Sequence, residues 1–253
     1  MRPVVELREA LEEQLEEIRG HGPKVYANAD PEELHKLRVA VRRTRALLRA
    51  ARPLITDERA EPLRDELRDF GRELGPARDA DVFAEYLRSE AESMDGDAAS
   101  LDLVLTRVEE ERQEAYARAR AAIDAPGHVL LLEKLADFIA TARIEDGELD
   151  DVVDRELGRF KKAAKDVDSD EALHKARIRA KRVRYAAEAA GQKKLVNRMK
   201  KLQDAAGAHQ DAAVAEERLR GLVDPETALV VGRLIERQQE RRRSARKTWS
   251  KLT

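Results

Sequence analysis

An internal repeat constrains the fold of this chain more than any other feature of its sequence. The segment LHKLRVAVRRTRALLRA at residues 34–50 aligns with LHKARIRAKRVRYAAEA at 173–189, and leucine, histidine, lysine and arginine recur in the same places. Self-similarity at a long spacing is typical of a chain built from repeated structural units. We therefore looked for a second matching pair in the same order.

The second pair lies downstream of each basic segment. ELGPARDADVFAEYLR at 73–88 matches AAGAHQDAAVAEERLR at 205–220, and the glycine, the aspartate, the valine and the final Leu-Arg are retained. Two blocks in the same order predict two related halves, residues 1–124 and 128–253, which together form one domain over 1–253.

Composition predicts that both halves are helical. Charged residues make up 40% of the chain, aromatic residues only 4%, and glycine and proline are few. Alanine, leucine, glutamate and arginine favour helices, and little β-branched or aromatic material is present for a sheet. We expect an all-α protein.

Apolar spacing and capping signals predict the individual helices. The first helix is expected to stop near Gly20-His21-Gly22-Pro23, and Asp30-Pro31 is expected to begin the second, with Asp30 as the N-cap and Glu33 completing a capping box. Gly75 and Gly207 are expected just after helix ends. The predicted helices after the first are 31–52, 57–74, 77–93, 98–123, 128–143, 148–166, 170–190, 193–206, 209–220 and 225–250.

Helical geometry places a row of cations beside the core stripe of each repeated basic segment. In the first copy the core stripe is Leu34, Leu37, Val41, Thr44 and Leu48. Residues one position further lie about 100° around the axis. In the first copy these are His35, Arg38, Arg42, Arg45 and Arg49, and in the second they are His174, Arg177, Lys181 and Arg184. The first row spans roughly 21 Å at about 1.5 Å per residue.

These rows contain no acid to neutralise them. No aspartate or glutamate occurs over 34–55 or over 172–187. Like charges one turn apart repel, so most exposed helix faces mix both signs. An anion-binding surface explains the rows better than a solvated face or than pairing with acidic helices such as 7–17, although both alternatives stay open.

The arginine content indicates phosphate as the anion, because the planar guanidinium group matches phosphate oxygens. No P-loop or GxGxxG motif is present for a single nucleotide. Base-stacking aromatics of nucleic-acid readers are also scarce, since Tyr185 is the only aromatic residue on the two segments. A narrow phosphate polymer without bases fits the rows best.

The segments HKLRVAVRRTRALLR, ELGPARDADV, LHKARIRAKRVRYAAE and LQDAAGAHQDAAV closely resemble the conserved-histidine α-helical domain family, CHAD. The resemblance covers nearly the whole chain and implies two four-helix-type bundles related by pseudo-symmetry. It also implies a central basic groove between them that binds inorganic polyphosphate. The family's histidines and basic groove residues correspond here to His35, Arg38, Arg42, Arg45, His174, Arg177, Lys181 and Arg184.

Further cations on the two repeated segments and on the predicted helix after the second enlarge the expected site. They are Lys36, Arg43, Arg49, Lys175, Arg182, Lys194, Arg198 and Lys201. Many family members carry an N-terminal triphosphate tunnel domain, whereas this sequence starts with the predicted helical region, so the resemblance is to a stand-alone form. No catalytic role is carried over from the fused proteins. Polyphosphate granules and phosphate-metabolising enzymes are further expected partners.

Metal catalysis is the alternative from another class of function. Glu32-x-x-His35 and Glu171-x-x-His174 have the Glu-x-x-His spacing of di-metal carboxylate bundles. Both glutamates fall in a first helical turn, where capping explains them, and Arg38 and Arg177 would repel a dication. Asp79 and Asp211, at matching repeat positions, are expected near helix starts or oriented towards a groove arginine. We therefore expect neither catalysis nor a cofactor, and no chemical role for His21, His128 and His209.

Localisation follows from what the sequence lacks. It contains no cysteine, which excludes disulfides and thiolate metal sites. Charge appears too early in the first residues for a signal peptide, and no apolar run reaches membrane-spanning length. We expect a cytoplasmic protein, with polyphosphate granules as a possible location, no membrane partner and no specific nucleic-acid partner. A scaffold that receives an acidic protein segment or a nucleic acid in the groove stays open as an alternative.

Overall fold

The chain folds into α-helices joined by short connections. The structure, a computed structural model, describes residues 3–91, 94, 98–147, 149–165 and 167–252, and these contain ten helices and no β-strand beyond one isolated bridge between Ile55 and Ile144. The all-α prediction is confirmed. The helices are α1 Pro3–Asn28, α2 Pro31–Ala50, α3 Ala60–Glu73, α4 Gly75–Ala91, α5 Ala98–Asp124, α6 Pro126–Thr141, α7 Asp150–Ala163, α8 Asp170–Ala189, α9 Lys193–Arg220 and α10 Ala228–Leu252.

The predicted end of the first helix at Gly20–Pro23 is wrong. Pro23 lies inside α1, which continues to Asn28. A proline inside a helix removes one backbone hydrogen bond and costs about 3 kcal/mol or more. The turn after Pro23 offsets this cost, because Val25 is completely buried in the core. The helix ends where Ala29 adopts a left-handed conformation, with φ of 52°.

The predicted break between residues 206 and 209 is also wrong. One helix, α9, runs from Lys193 to Arg220, and Gly207 lies in its middle. A glycine inside a helix costs only about 1 kcal/mol relative to alanine. The buried side chains of Ala206, His209 and Ala212 on either side favour the unbroken helix. Gly75, in contrast, directly follows the C-cap residue Leu74 of α3, as predicted.

The chain divides into two compact units. Unit 1 comprises Met1–Asp81, Arg112–Arg155 and Tyr185–Lys193, and unit 2 comprises Val82–Glu111, Glu156–Arg184 and Lys194–Thr253. Each unit therefore draws on both sequence halves, and the compact units do not coincide with residues 1–124 and 128–253. That the halves form one pseudo-symmetric domain stays a prediction.

Unit 1 contains a four-helix bundle. α1 packs against α2 and α6, and α3 packs against the same two helices, which closes a ring. Its core includes Leu11, Leu37, Leu67 and Leu135, each fully buried, with Tyr116 from α5. Full burial of a leucine stabilises a fold by about 1.5–3 kcal/mol. This bundle fixes α2 by its apolar stripe, as the sequence predicted.

Unit 2 has two apolar clusters. One joins α4, α5, α9 and α10 through residues that include Leu87, Val104 and Leu234. The other joins α7, α8, α9 and α10 through residues that include Leu173 and Trp249. The second cluster holds α8 by the stripe that the repeat predicts. Among the residues that the structure describes, no helix is long and apolar enough to span a membrane.

Candidate functional site: the basic faces of α2 and α8

The start of α2 is fixed as the sequence predicts. Asp30 is the N-cap, and its Oδ1 accepts hydrogen bonds from the backbone N–H groups of Glu32 at 2.8 Å and Glu33 at 3.4 Å. The predicted capping box does not form, because the Glu33 carboxylate binds Nδ1 of His21 at 2.5 Å instead. This contact holds the pKa of Glu33 down at about 2. The rotation of α2 is thereby tied to α1.

The basic row of α2 is accessible along its length. Arg42 and Arg49 are exposed, whereas His35, Arg38 and Arg45 are partly buried. Nη1 of Arg38 and Nε of Arg45 are buried and have no hydrogen-bond partner in the part of the chain that the structure describes. Buried donors without a partner are costly, and most such groups in native proteins are satisfied. An anion that accepted these hydrogen bonds would remove that cost.

Cations from α3 and α4 surround the row, and the sequence analysis missed them. Burial lowers the pKa of the Arg45 guanidinium, and the charges of Arg68, Arg64 and Arg72 lower it further. These α3 arginines recur every four residues, which is the signal that could have revealed them. They were overlooked because acids alternate with them, and Arg68 indeed pairs with Asp65 at 2.6 Å.

Arg78 of α4 is a further cation that the sequence analysis missed. Burial lowers the pKa of His35, and Arg78 lowers it further, as do Arg42 and Arg38, against the opposing charge of Glu32. The imidazole therefore stays neutral to a lower pH than an ordinary histidine does. It becomes charged only below that pH or beside an anion. Arg78 occupies the first turn of α4, next to the repeat motif.

Gly75 gives the Arg38 guanidinium room beside the start of α4. A Cβ at Gly75 would lie 3.2 Å from Nη1 of Arg38. Burial lowers the pKa of Arg38, and the charge of Asp79 opposes that effect. The predicted orientation of a row arginine by Asp79 is consistent with this interaction.

Two of the predicted α2 cations are not part of the row. Lys36 and Arg43 lie more than 100° around the helix from its centre. Lys36 pairs with Glu33 at 3.5 Å, and Arg43 lines a pocket with Glu13 of α1. Both therefore face the acidic side of α1, beside a pocket that His35 also lines, while Arg38 and Arg45 interact with charges of α4 and α3.

The equivalent row on α8 lies in unit 2 and has different neighbours. His174 is exposed, and its Nδ1 is 2.8 Å from the amide oxygen of Gln210 on α9. Arg177, Lys181 and Arg184 are partly buried, and Nε of Arg177 has no hydrogen-bond partner among the residues described. Because an amide oxygen only accepts, Nδ1 of His174 is the donor. Gln210 occupies the repeat position of Arg78.

The remaining predicted cations of unit 2 fall into two groups. Lys175 pairs with Glu171 at 2.7 Å, and Arg182 shares its side of α8, away from the row. Lys194, Arg198 and Lys201 are exposed along one face of α9. α2 belongs to unit 1 and residues 170–184 of α8 to unit 2. The groove that the two rows were expected to share therefore stays a prediction.

The Glu-x-x-His pairs do not assemble a metal site in the residues described. No three histidine, aspartate or glutamate side chains there lie close enough together to hold an ion. Glu32 lies 3.8 Å from Lys36, and Glu171 pairs with Lys175, so both glutamates interact with a lysine one turn later.

The other three histidines are structural in their contacts, but two lie elsewhere than predicted. His21 lies inside α1, and its Nε2 contacts Glu17 at 2.7 Å. His128 is buried against the ring of Phe70, with centroids 4.4 Å apart, and burial lowers its pKa. His209 is not near a helix end, because it is buried in the middle of α9.

Comparisons with known proteins show the family to which this chain belongs. The CHAD domain model matches residues 9–220. Two uncharacterized proteins of Mycobacterium tuberculosis, MT2285 of strain CDC 1551 and Rv2226 of strain H37Rv, are each 31% identical over 240 residues, covering 86% of this chain and 45% of their own length. The chain thus spans about half the length of these relatives.

Two solved structures share the fold. PptA from Streptomyces chartreusis matches with a TM-score of 0.79 at 20% identity, over 100% of this chain and 99% of its own. The CHAD domain from the plant Ricinus communis matches with a TM-score of 0.76 at 25% identity, over 97% of this chain and 91% of its own. The ring of helices and the two basic helices therefore belong to a known architecture.

Proposed function

Because this chain belongs to the CHAD domain family, we propose that it binds inorganic polyphosphate, without turning it over, through the basic faces of α2 and α8. One observation carries the proposal. Arg42, Arg45 and Arg49 form no ion pair with any residue that the structure describes. Arg64, Arg68 and Arg72 of α3 lie near Arg45, but each pairs with an acid of its own helix and so does not supply the missing anion. A linear polyanion would neutralise this face.

The shape of the α2 face favours a chain over a single phosphate. Its cations extend over roughly 21 Å along one helix. A compact ligand would contact only two or three of them. A polymer can contact the whole row, and the counterions condensed along the polymer are released when the row neutralises its charge. Arginine adds paired donors that fit adjacent phosphate oxygens. Burial lowers the pKa of His35, and the imidazole gains a charge beside such an anion, so binding is expected to tighten as the pH is lowered.

The absence of bases in the ligand follows from the residues around the row. The side chains named around the row on α2, α3 and α4 are arginine, histidine and aspartate, and none is an aromatic platform on which a base could stack. Partners beyond polyphosphate itself, such as granules or a phosphate-metabolising enzyme, and a cytoplasmic location are further parts of this proposal.

Calorimetric titration with polyphosphates of defined length tests the proposal. We expect affinity to rise with chain length and to fall linearly on a log–log plot against salt, with little competition from orthophosphate or mixed-sequence DNA. Equal or tighter binding of DNA, or of an acidic peptide, would replace polyphosphate with that partner.

Matched variants locate the binding face. Arg42→Gln with Arg49→Gln removes two exposed row cations and should weaken binding by about tenfold or more. Arg118→Gln with Arg143→Gln removes the same charge from exposed positions elsewhere in unit 1 and should change affinity little. Lys36→Gln with Arg43→Gln should fall between the two. An equal loss in all three pairs would indicate non-specific attraction rather than a site on α2.

A further inference from the structure

A second cationic pocket lies in unit 2, among side chains that are not members of either basic row. Asp170, His209, Gln239, Arg242, Arg243 and Arg246 line it. Asp170 is at its centre, because Nη2 of Arg242, Nη1 of Arg246 at 3.3 Å and Nε2 of His209 at 3.0 Å all contact the Asp170 carboxylate. The first residue of α8 is thereby connected to both α9 and α10.

The pocket has more positive than negative charge. Besides Asp170, the only carboxylate bound to this group in the described part of the chain is Glu216, which accepts from Arg242 at 2.7 Å and from Arg220 at 2.7 Å. Two carboxylates are thus shared among the guanidinium groups of Arg220, Arg242 and Arg246. Arg243 lines the same pocket and adds a fourth positive charge. The surplus is open to solvent at the pocket.

Two donors of the pocket are unused. Arg243 is exposed and forms no ion pair among the residues described. Nη2 of Arg246 is buried and has no hydrogen-bond partner in the same part of the chain. A buried guanidinium N–H without an acceptor is unfavourable, and an oxyanion in the pocket would supply that acceptor.

The repeat shows that this arrangement is not a requirement of the helical framework. In the aligned blocks 73–88 and 205–220, Ala77 stands at the position of His209 and Ala84 at the position of Glu216. Both alanines are buried in their own helix. The same helical position therefore packs with a small apolar side chain in one copy, while the other copy carries a polar cluster that opens onto a pocket.

The carboxylate defines the kind of oxyanion that fits. An ionised aspartate has about four lone-pair sites, and its three cationic or N–H neighbours leave one available. Burial lowers the pKa of His209, partly opposed by the charge of Asp170, and Nε2 of the ring occupies one of the acceptor sites of the aspartate. A ligand oxygen beside Asp170 must therefore bear a hydrogen.

We propose that this pocket binds a phosphate group that retains a proton, with Arg243 and Nη2 of Arg246 donating to its oxygens and Asp170 accepting its P–OH hydrogen. Orthophosphate carries such a proton throughout the neutral range. The terminal group of a phosphate chain loses its last proton close to neutral pH, so only part of the chain ends carry one there, and the internal groups carry none. Sulfate has the same shape and no proton, so one of its oxygens would face the aspartate carboxylate without a hydrogen between them.

Titration of the full chain with orthophosphate and with sulfate, followed by calorimetry at constant ionic strength near pH 7, tests the pocket. Orthophosphate should bind at least about tenfold more tightly than sulfate, which corresponds to one charge-assisted hydrogen bond gained or lost. Arg243→Gln should weaken orthophosphate binding by about tenfold. Lys251→Gln, a matched change further along α10, should leave it unaltered. Equal binding of the two anions, or no loss in Arg243→Gln, would overturn the proposal.

Two further variants make the result specific. Asp170→Asn should narrow the preference for phosphate over sulfate, and a thermal melt shows whether that variant folds. If it does not fold, Arg243→Gln still decides, because that side chain is exposed and forms no ion pair among the residues described. Arg42→Gln with Arg49→Gln should not alter orthophosphate binding, so failure of this pocket and failure of the α2 row are distinguishable.

Competition between orthophosphate and polyphosphate chains with free or esterified ends shows whether the pocket binds free phosphate or the end of a chain. If only chains with free ends compete with orthophosphate, the pocket also accepts chain termini. If neither kind of chain competes and orthophosphate binds, the ligand is free phosphate. If esterified chains compete as well as free ones, the pocket does not require the P–OH group and the proposal is wrong.

Discussion

The basic faces of α2 and α8 have closely similar sequences but different neighbours. On α2, His35 lies near Arg78, and Arg45 lies near three arginines of α3. On α8, His174 contacts the neutral amide of Gln210 instead. The repeat also places Glu188 at the position of Arg49. The first copy therefore concentrates positive charge, whereas the second copy dilutes it.

This difference teaches that a repeated helix does not imply a repeated site. The strength of an anion site depends on the summed field of all nearby groups, and those groups come from other helices. We infer that α2 contributes more than α8 to polyphosphate affinity, although both carry the row that the sequence predicts.

Charge reversal is the strongest test of that inequality. Arg42→Glu with Lys181→Glu should weaken polyphosphate binding by about a hundredfold or more, because each change replaces an attraction with a repulsion. Of the single variants, Arg42→Glu should cause the larger loss, by several-fold over Lys181→Glu. Calorimetry measures the affinities, and circular dichroism should show unchanged helical content.

The opposite order of the two single variants would contradict the assignment of the stronger site to α2. Arg118→Glu, an exposed position of unit 1 away from the row, provides the control for the general change in charge. A loss of helical content in either variant would instead show that the altered residue supports the bundle.

Exchange of one neighbour sharpens the comparison. Arg78→Gln gives the first copy the residue that the second copy has at this position. Removal of that positive charge should raise the pKa of His35 towards its ordinary value near 6.5. Titration of the His35 imidazole by NMR measures the change, and an unaltered pKa would leave burial and the charges of Arg42 and Arg38 as its causes.

The same variant has a consequence for stability, because the folded protein holds the pKa of His35 below that of the unfolded chain. Between the two pKa values the unfolded state binds more protons, so stability is full above about 6.5 and falls as pH is lowered through that window. Arg78→Gln should make this acid-side loss smaller. Thermal melts between about pH 7.5 and 5.5 test it, with Arg118→Gln as the control.

Much of the fold could be predicted because its signals are local. Asp30 and Pro31 begin α2, and apolar residues three and four apart identify the buried face. The failures at Pro23 and Gly207 have one cause. Local breakers cost about 1–3 kcal/mol each, and burial of Val25 or of His209 and its neighbours offsets that cost only in the folded protein.

The candidate site was predictable only as far as one helix can define it. The rows on α2 and α8 follow from helical geometry alone. Arg78 and Gln210 could not be found this way, because they reach the rows through tertiary packing. The four-residue spacing of the α3 arginines is visible in the sequence, but it does not show which row they approach. Lys36 and Arg43 are a different case, because helical geometry already places them away from the row, and they stay predicted members of the site on their charge alone.

The two repeat glycines give the smallest and most local test of the comparison. Gly75 and Gly207 are equivalent in the alignment, but a Cβ would lie 3.2 Å from Nη1 of Arg38 at the first and would meet nothing within 4 Å at the second. Gly207→Ala replaces a poor helix former in the middle of α9 and should stabilise the protein by about 0.5–1 kcal/mol without changing polyphosphate affinity.

Gly75→Ala changes the first residue of α4, where the gain in helix propensity is smaller. The new methyl group must also displace the guanidinium of Arg38. It should weaken polyphosphate binding by a few-fold. Chemical denaturation and calorimetry of the two variants separate these effects. If Gly75→Ala binds as tightly as the natural chain, then the position of Arg38 against α4 does not contribute to the site, and the advantage of the α2 face must come from its other cations.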